Sequence, residues 1–574
     1  MNAERLLAQY ERVAEAPDAL DRLRRFILDL AVRGKLVPQD PTEEPAASLL
    51  ERVSMERQRL FGNRRTDTAD TNVRKAPRAP EFEGRIGWEI ATLEEVVLEL
   101  QTGPFGSALH KSDYQANGTP VVNPASIHGG RIVPIDSMAV GAEALERLAG
   151  FRLRAGDIVM ARRGEMGRCA LVTDDAAGWL CGTGSVVLRM PRALYGRYFA
   201  LLLGSPYVKR HLEGSAVGTT MLNLNQRILL GLVVGVPPLL EQRRIVAKVS
   251  ELMALSDRLE AARAERESTR GRLTISSLNR LSVSDLGKFR NASELALNAL
   301  PTLTARADQI AQLRQTILNL AVRGKLAAQD SSEESAQELV QRISAAKSRL
   351  VAEAGFSSLD EREKTERHEE PFPIPASWQW RRLDDLAGVA RGGSPRPIQG
   401  FITNDEQGTP WIKIGDATRG DIYINSTAER IRPEGVARSR LVEPGDLLLS
   451  NSMSFGFPYI TNVRGCIHDG WLVIRTPSEL MEKLYLRLVF LSDFARDAFA
   501  RAAAGAVVQN LNADKVRRLL VPVPPLLEQR RIVAKVAEVM ELCDRLEASL
   551  RDANDTRARL LEALLAGALR PELH

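Results

Sequence analysis

The 574-residue chain is too long for one ordinary core, and at about 150 residues per domain it accommodates three or four structural units. Its apolar fraction of 44% and charged fraction of 26% are those of an ordinary globular protein, which argues against disordered, collagen-like and membrane classes. The net charge of +5, from 78 Lys and Arg against 73 Asp and Glu, permits nucleic-acid binding without requiring it.

The first residues, MNAERLLAQYERV, are charged and helix-like and lack the apolar core of a secretory signal, so a cytoplasmic location is expected. Leu20, Leu23, Ile27 and Leu30 follow the spacing of a helix with one apolar seam, and Gly34 would end it. Gly62 to Gly84 is rich in charge, proline and hydroxyl residues and reads as a linker or long loop. Beyond Trp88, short aliphatic runs such as Asp157 to Ala161, separated by Gly, Asp and Asn, indicate a mixed α/β domain. The longest apolar stretch, Ile228 to Leu240, is interrupted by Gly231, Gly235, Pro237 and Pro238 and is too short to span a membrane. After these prolines, Ile245, Val249, Leu252, Ser256 and Leu259 place a second seam on a helix.

The pattern then returns. Leu23 to Leu36 matches Leu313 to Leu326 at 11 of 14 positions, and Val236 to Ala261 matches Val523 to Ala548 at 22 of 26. Between these blocks only short anchors persist: Trp88 with Trp378, Gly118-Thr119-Pro120 with Gly408-Thr409-Pro410, Gly156-Asp157 with Gly445-Asp446, and Asn223-Leu224-Asn225 with Asn510-Leu511-Asn512. The second copy repeats the first seam at Ile310, Leu313, Ile317 and Leu320, ended by Gly324. It also repeats the polar stretch at Glu353 to Ala376 and a strand at Asp446 to Ser450. Its last seam runs through Ile532, Val536, Val539, Cys543, Leu546 and Leu550, so Cys543 reads as core. The four cysteines form no metal or disulfide pattern, and the six histidines share no spacing, so no metal is assigned. Long seams need partners. The helix after the first domain is expected antiparallel to the helix before the second, with the N- and C-terminal helices forming the equivalent pair.

Two divergent domains alternating with near-identical helices, and the phrase Pro-Pro-Leu-Leu-Glu-Gln-Arg-Arg-Ile-Val at 237 to 246 and 524 to 533, resemble the specificity subunit of Type I restriction-modification systems. The fold this implies is α+β: two α/β target recognition domains separated and flanked by long antiparallel coiled-coil helices, duplicated with pseudo-twofold symmetry. The expected divisions are an N-terminal helical region (1–60), a linker (61–86), recognition domain 1 (87–235), a spacer helix (236–275) and a connecting loop (276–305). A second central helix (306–352), a linker (353–376), recognition domain 2 (377–522) and a C-terminal helix (523–574) complete them. The resemblance further implies a non-catalytic subunit of bacterial or archaeal cytoplasm that reads a bipartite, asymmetric target in double-stranded DNA. Its implied partners are two methyltransferase subunits and, where present, two restriction (translocase) subunits. S-adenosylmethionine, ATP and magnesium would be held by those partners and none by this chain. A helix pair of about 35 residues would span roughly 50 Å, or about 15 base pairs, and so set the gap between half-sites.

Base reading needs side chains with paired donors and acceptors beside amides that hold phosphate. In domain 1 the candidates are Thr102, Gly103, Phe105, Gly106 and Ser107, followed by Lys111 and Tyr114, with Arg162, Arg163 and Arg168 as a second stretch. The counterparts in domain 2 are Arg391, Gly392, Ser394 and Arg396, then Asn451, Ser452 and Ser454. The change from Arg to Asn would suit different bases, since Arg favours guanine and Asn adenine. Asn223, Asn225, Asn510 and Asn512 persist in both copies and read as helix caps or turns. For spacing and partner docking the candidates are Ile245, Val249, Leu252, Leu259, Ile532, Val536, Val539 and Leu546. The nearest approach to an amino-methyltransferase motif, Asn123-Pro124-Ala125-Ser126, fails at its last two positions, and no Gly-Lys is followed by Ser or Thr as in a phosphate loop. A coiled-coil scaffold that reads no DNA is the alternative, but it gives no reason for the inserted domains to diverge while their helices stay constant.

Overall fold

The computed structural model describes residues 15–569 apart from 17, 63–78, 80, 83, 106–107, 165–166, 216–225, 284–285, 355, 357, 360–369, 452–455, 478 and 504–510. The initial MNAERLLAQYERV, most of Gly62 to Gly84, much of Glu353 to Ala376, and Asn223, Asn225 and Asn510 therefore lie outside the described residues or largely so. The chain divides into two units, residues 1–264 with 554–574, and residues 265–553. Each holds the leading helix, recognition domain and first part of the trailing helix of one copy, together with the far end of the other copy's trailing helix.

The first seam forms a leading helix in each copy, Ala19–Val32 and Ala307–Val322. Gly34 and Gly324 follow with φ of +63° and +68°, a conformation that costs an L-residue side chain and so stops the helix where the sequence predicts. A second helix follows each, Ala46–Phe61 and Ala336–Ala354, so the expected single helix over 306–352 is two. The trailing helices are Leu239–Val283 and Leu526–Leu569, of 45 and 44 residues, or about 65 Å each at 1.5 Å per residue.

The connecting loop expected at 276–305 is instead largely helical, with the trailing helix running to Val283 and followed by Leu286–Asn298 and Leu300–Leu303. Leu278, Leu281, Ala292, Ala296 and Leu303 bury together with Leu320. Ala292 and Ala296 on that seam weaken the periodic signal in the sequence, although both are buried. The expected linkers also carry anchors: Phe82 is buried against Trp88 and Tyr207, while Phe356 and Phe372 are buried in the second copy.

Helix pairing departs from expectation. In each unit the leading helix is antiparallel to the trailing helix of its own copy: Arg24 pairs with Asp257 and Glu260 at 2.7 and 2.6 Å, and Arg314 with Asp544 and Glu547 at 2.6 and 3.0 Å. The cross-copy contacts are present as a second layer. Ala16 and Ala19 pack with Leu561, and Gln309 donates to Thr274 at 3.1 Å. In the second unit Lys325 reaches the carbonyls of Leu281 and Ser282, so this second pair runs parallel.

Each recognition domain is a closed excursion between its helices, because its opening and closing strands pair antiparallel. Glu89–Thr92 pairs with Val233–Val236, and Gln379–Arg382 with Leu520–Val523. Within domain 1, Ser185–Arg189 lies between Glu99–Thr102 and Ile158–Ala161; in domain 2, Trp471–Arg475 lies between Gly388–Arg391 and Leu447–Ser450. A second sheet in each carries the Thr-Pro anchors inside strands Thr119–Val122 and Thr409–Ile412. All four cysteines are free and buried, and Cys543 sits on the seam as predicted.

The repeated motifs converge on one joint per copy. A Cβ at Gly34 would stand 2.8 Å from the Trp88 ring, and one at Gly324 would stand 3.2 Å from that of Trp378. Trp88 Nε1 donates to the buried Glu241 at 2.9 Å. Gln242 and Gln529 each donate to a proline carbonyl before the trailing helix and accept from the backbone of the domain, at Tyr195 and Glu482. Arg244 and Arg531 pair with Glu43 and Glu333. The Glu-Gln-Arg-Arg phrase is thus a latch joining leading helix, domain and trailing helix.

Candidate nucleic-acid interface

Strand register decides which loops meet. Thr102 is opposite Val186 and Ala161 opposite Ser185, so the loops after Thr102 and Ala161 leave the same end of one sheet. Between them lies the turn before Ser185: Gly103 N–H donates to the Ser185 carbonyl at 2.9 Å and Arg162 N–H to the Gly184 carbonyl at 2.8 Å. Domain 2 repeats the arrangement. Arg391 is opposite Leu472 and Ser450 opposite Trp471, with Gly392 and Asn451 N–H groups donating to the Trp471 and Gly470 carbonyls, each at 2.9 Å. Two stretches far apart in sequence therefore form one three-loop surface in each domain.

Close approach fixes the first loop. A Cβ at Gly103 would lie 2.1 Å from the Gly182 carbonyl oxygen, and one at Gly392 would lie 2.1 Å from that of His468. Only glycine fits without moving backbone. The central turn then ties each loop by different chemistry. Thr183 Oγ1 donates to the Pro104 carbonyl at 2.9 Å, whereas Asp469 accepts from Ser394 Oγ at 2.7 Å while its carbonyl accepts from Arg391 Nε at 3.0 Å. The Ser394 hydroxyl holds the Asp469 carboxyl below its ordinary range, and burial pushes His468 down.

The predicted residues fall unevenly on this surface. Phe105 is 64% exposed, Arg163 is exposed, and Arg162 and Arg168 are half-buried. Lys111 is exposed on a short turn, and Tyr114 begins a strand of the second sheet, where its hydroxyl accepts from Asn123 Nδ2 at 3.4 Å. In domain 2, Arg391 is exposed and Arg396 is 82% exposed, 3.6 Å from Asp469. Asn451 does not reach the surface: it is fully buried, and its amide donates to the Asp469 carbonyl at 3.0 Å, so it braces the central turn. Gly106, Ser107, Ser452 and Ser454 lie outside the described residues. Asn512 is a helix cap, its side chain accepting from Lys515 N–H at 2.9 Å.

Sequence reasoning missed Asn123, Thr183, Lys413 and Asp469. Their one signal was position: Thr183-Gly184 and Asp469-Gly470 are turns immediately before the central strand of each copy, and Asn123 and Lys413 directly follow the strands that carry the Thr-Pro anchors. In domain 2 the loop from Ser394 to Gln399 and the wall of Trp411, Lys413, Glu429, His468 and Asp469 enclose an open groove of about 870 Å³.

The docking candidates also need correction. Ile245, Val249, Ile532 and Val536 are buried within their own units, with Leu252 and Val539 packed beside them, because the leading helix fills the seam. Leu259 is half-buried, and Leu546 is 37% exposed. The outward face is a different stripe.

Two equivalent loop surfaces with different side chains on one repeated frame define a paired recognition protein. The model of the Type I restriction modification DNA specificity domain matches residues 85–266 and 375–553, more than half of the chain, and the chain belongs to that family as a specificity subunit with two recognition domains. The Type I restriction enzyme EcoEI specificity subunit of Escherichia coli is 26% identical over 96% of this chain and 94% of its own. The EcoAI specificity subunit of the same organism is 24% identical over the same shares. A chain from a solved type I R-M system has 21% identity, covering 87% of this chain and 100% of its own, with a TM-score of 0.47. The HsdS subunit from Thermoanaerobacter tengcongensis has 22% identity over 85% and 97%, with a TM-score of 0.42.

Proposed function

We propose that this chain reads a bipartite, asymmetric sequence in double-stranded DNA, one half with each three-loop surface, while partner subunits carry out the chemistry. The supporting observation is that Gly103 and Gly392 hold the same tight crossing while the side chains around them differ. A shared frame presents both readers alike, and unlike side chains favour unlike half-sites. Phe105, Arg163 and Lys111 are the accessible candidates in domain 1, and Arg391 and Arg396 those in domain 2, with Arg162, Arg168, Tyr114 and Ser394 beside them.

The methyltransferase subunits, one per copy, would dock on the outward stripe of each trailing helix. Leu240 and Leu527 are 58% and 53% exposed, Leu255 and Leu542 are 44% and 43% exposed, and the ion pairs Lys248–Glu251 and Lys535–Glu538 recur beside them. Solvent-facing leucines repeated at equivalent positions suit two copies of one partner. S-adenosylmethionine, ATP and magnesium would enter with the methyltransferase and restriction subunits.

The test is methylation of a random-duplex library by the reconstituted complex, followed by sequencing of the modified bases. A two-part motif with a fixed gap is expected, and no two-part preference would refute the reading. Leu240→Asp with Leu527→Asp should abolish co-purification of the methyltransferase while leaving the specificity chain folded.

A further inference from the structure

The groove in domain 2 carries charges of alternating sign. Lys413 Nζ lies 2.6 Å from Glu429, and Arg396 lies 3.6 Å from Asp469, so two cations are balanced by two carboxylates. His468 adds no positive charge near neutrality, since burial lowers its pKa. A phosphate site gathers cations and N–H donors, and two carboxylates would repel its ligand. A base-pair edge makes the opposite demand. In the major groove a guanine–cytosine pair presents the N7 and O6 acceptors of guanine beside the N4 amine of cytosine, so its reader needs donors and acceptors side by side. Arg and Lys pair with the guanine acceptors, and Glu or Asp accepts from the cytosine amine.

The positions of the groups fit this demand. Arg396 is exposed and has length to extend, while Asp469, held by Ser394 at 2.7 Å, anchors the base of its loop. Domain 1 has Asn123 where domain 2 has Lys413 and Thr183 where it has Asp469, so neither charged pair has a counterpart there.

We infer that this groove reads a guanine–cytosine pair in the half-site of domain 2, with Arg396 and Lys413 donating to guanine, Glu429 accepting from the cytosine amine, and Asp469 positioning Arg396. The inference rests on the two-reader function proposed above and adds the base pair and the residues that choose it.

The experiment compares the reconstituted methyltransferase complex carrying the wild-type chain, Lys413→Ala, Arg396→Ala or Arg396→Lys on a random-duplex library. Lys413→Ala and Arg396→Ala should each cut the preference for G·C at one position of one half-site by about 10- to 100-fold, with the other half-site unchanged. Arg396→Lys keeps the charge and a donor but loses the planar two-donor fork, so it should weaken that preference by less than Arg396→Ala does while keeping the salt dependence of binding. Unchanged preference at every position, loss confined to an A·T position, or uniform weakening with a shallower salt dependence would each overturn the groove as a base reader while leaving a two-part motif intact. A wild-type complex with no two-part motif would instead overturn the function on which the inference rests, and the inference with it.

Discussion

The two joints of this chain match nearly residue for residue, whereas the two loop surfaces share little beyond their backbone. At each joint a tryptophan covers a helix-ending glycine, a buried glutamate stands beside it, and an Arg–Glu pair closes the contact. At the loop surfaces the close-approach glycines persist, but Thr183 gives way to Asp469 and Asn123 to Lys413. The contrast follows from burial. A buried polar group left without a partner costs free energy, so few side-chain sets satisfy the joint, while solvent accepts almost any set at a loop tip.

Breaking the shared part should have the largest effect. Trp88→Ala or Trp378→Ala removes the ring that joins helix to domain, and each should destabilise its unit by about 3–5 kcal/mol in denaturant unfolding. Equal losses in the two copies would support equivalent joints. Gly103→Ala and Gly392→Ala come next. The added Cβ meets a backbone carbonyl at 2.1 Å, so the loop must shift, at about 1–3 kcal/mol. Library methylation should show each change confined to its own half-site, and a change in both halves would argue against separate readers.

The joints themselves differ in one respect. Trp88 makes a formed hydrogen bond to Glu241, whereas both carboxylate oxygens of Glu528 are buried without a hydrogen-bond partner that meets ordinary geometry. Trp378 is nonetheless near enough to favour the charged carboxylate, but burial outweighs it and pushes the Glu528 pKa up to about 7. The folded state then keeps a proton that the unfolded chain loses near pH 4.5, so stability falls as pH rises from there to about 7 and is level above. Glu528→Gln should remove that slope and raise stability at pH 8 by about 1–3 kcal/mol, with the gain vanishing toward pH 4.5. Thermal melts of both chains across this range check it, and a parallel slope in the variant would remove Glu528 as its source. The smallest effect is expected from Arg24→Ala and Arg314→Ala. Their acidic partners are largely exposed, so each should cost less than about 1 kcal/mol and respond to added salt.

Much of the architecture was legible because periodic burial leaves a periodic sequence. The seams at Ile27, Ile245, Ile317 and Ile532, the stops at Gly34 and Gly324, and the strands after Asp157 and Asp446 all appear where their local pattern places them. Helix over 276–305 was not legible, since alanine shares its seam with leucine. Asn451 misled for a related reason. Its neighbours read as an exposed loop, while its own amide is spent on the buried central turn.

By itself the sequence determined that one frame is used twice, where its helices start and stop, and which stretches diverge, because these depend on contacts near in the chain or on comparison of one copy with the other. Only the tertiary structure decided which helix faces which, that the loops after Thr102 and Ala161 leave the same sheet end, and that Thr183 and Asp469 stand between them. These are consequences of strand register and helix pairing across long separations. A side chain's type states what it can bond to, but the register states what it will meet.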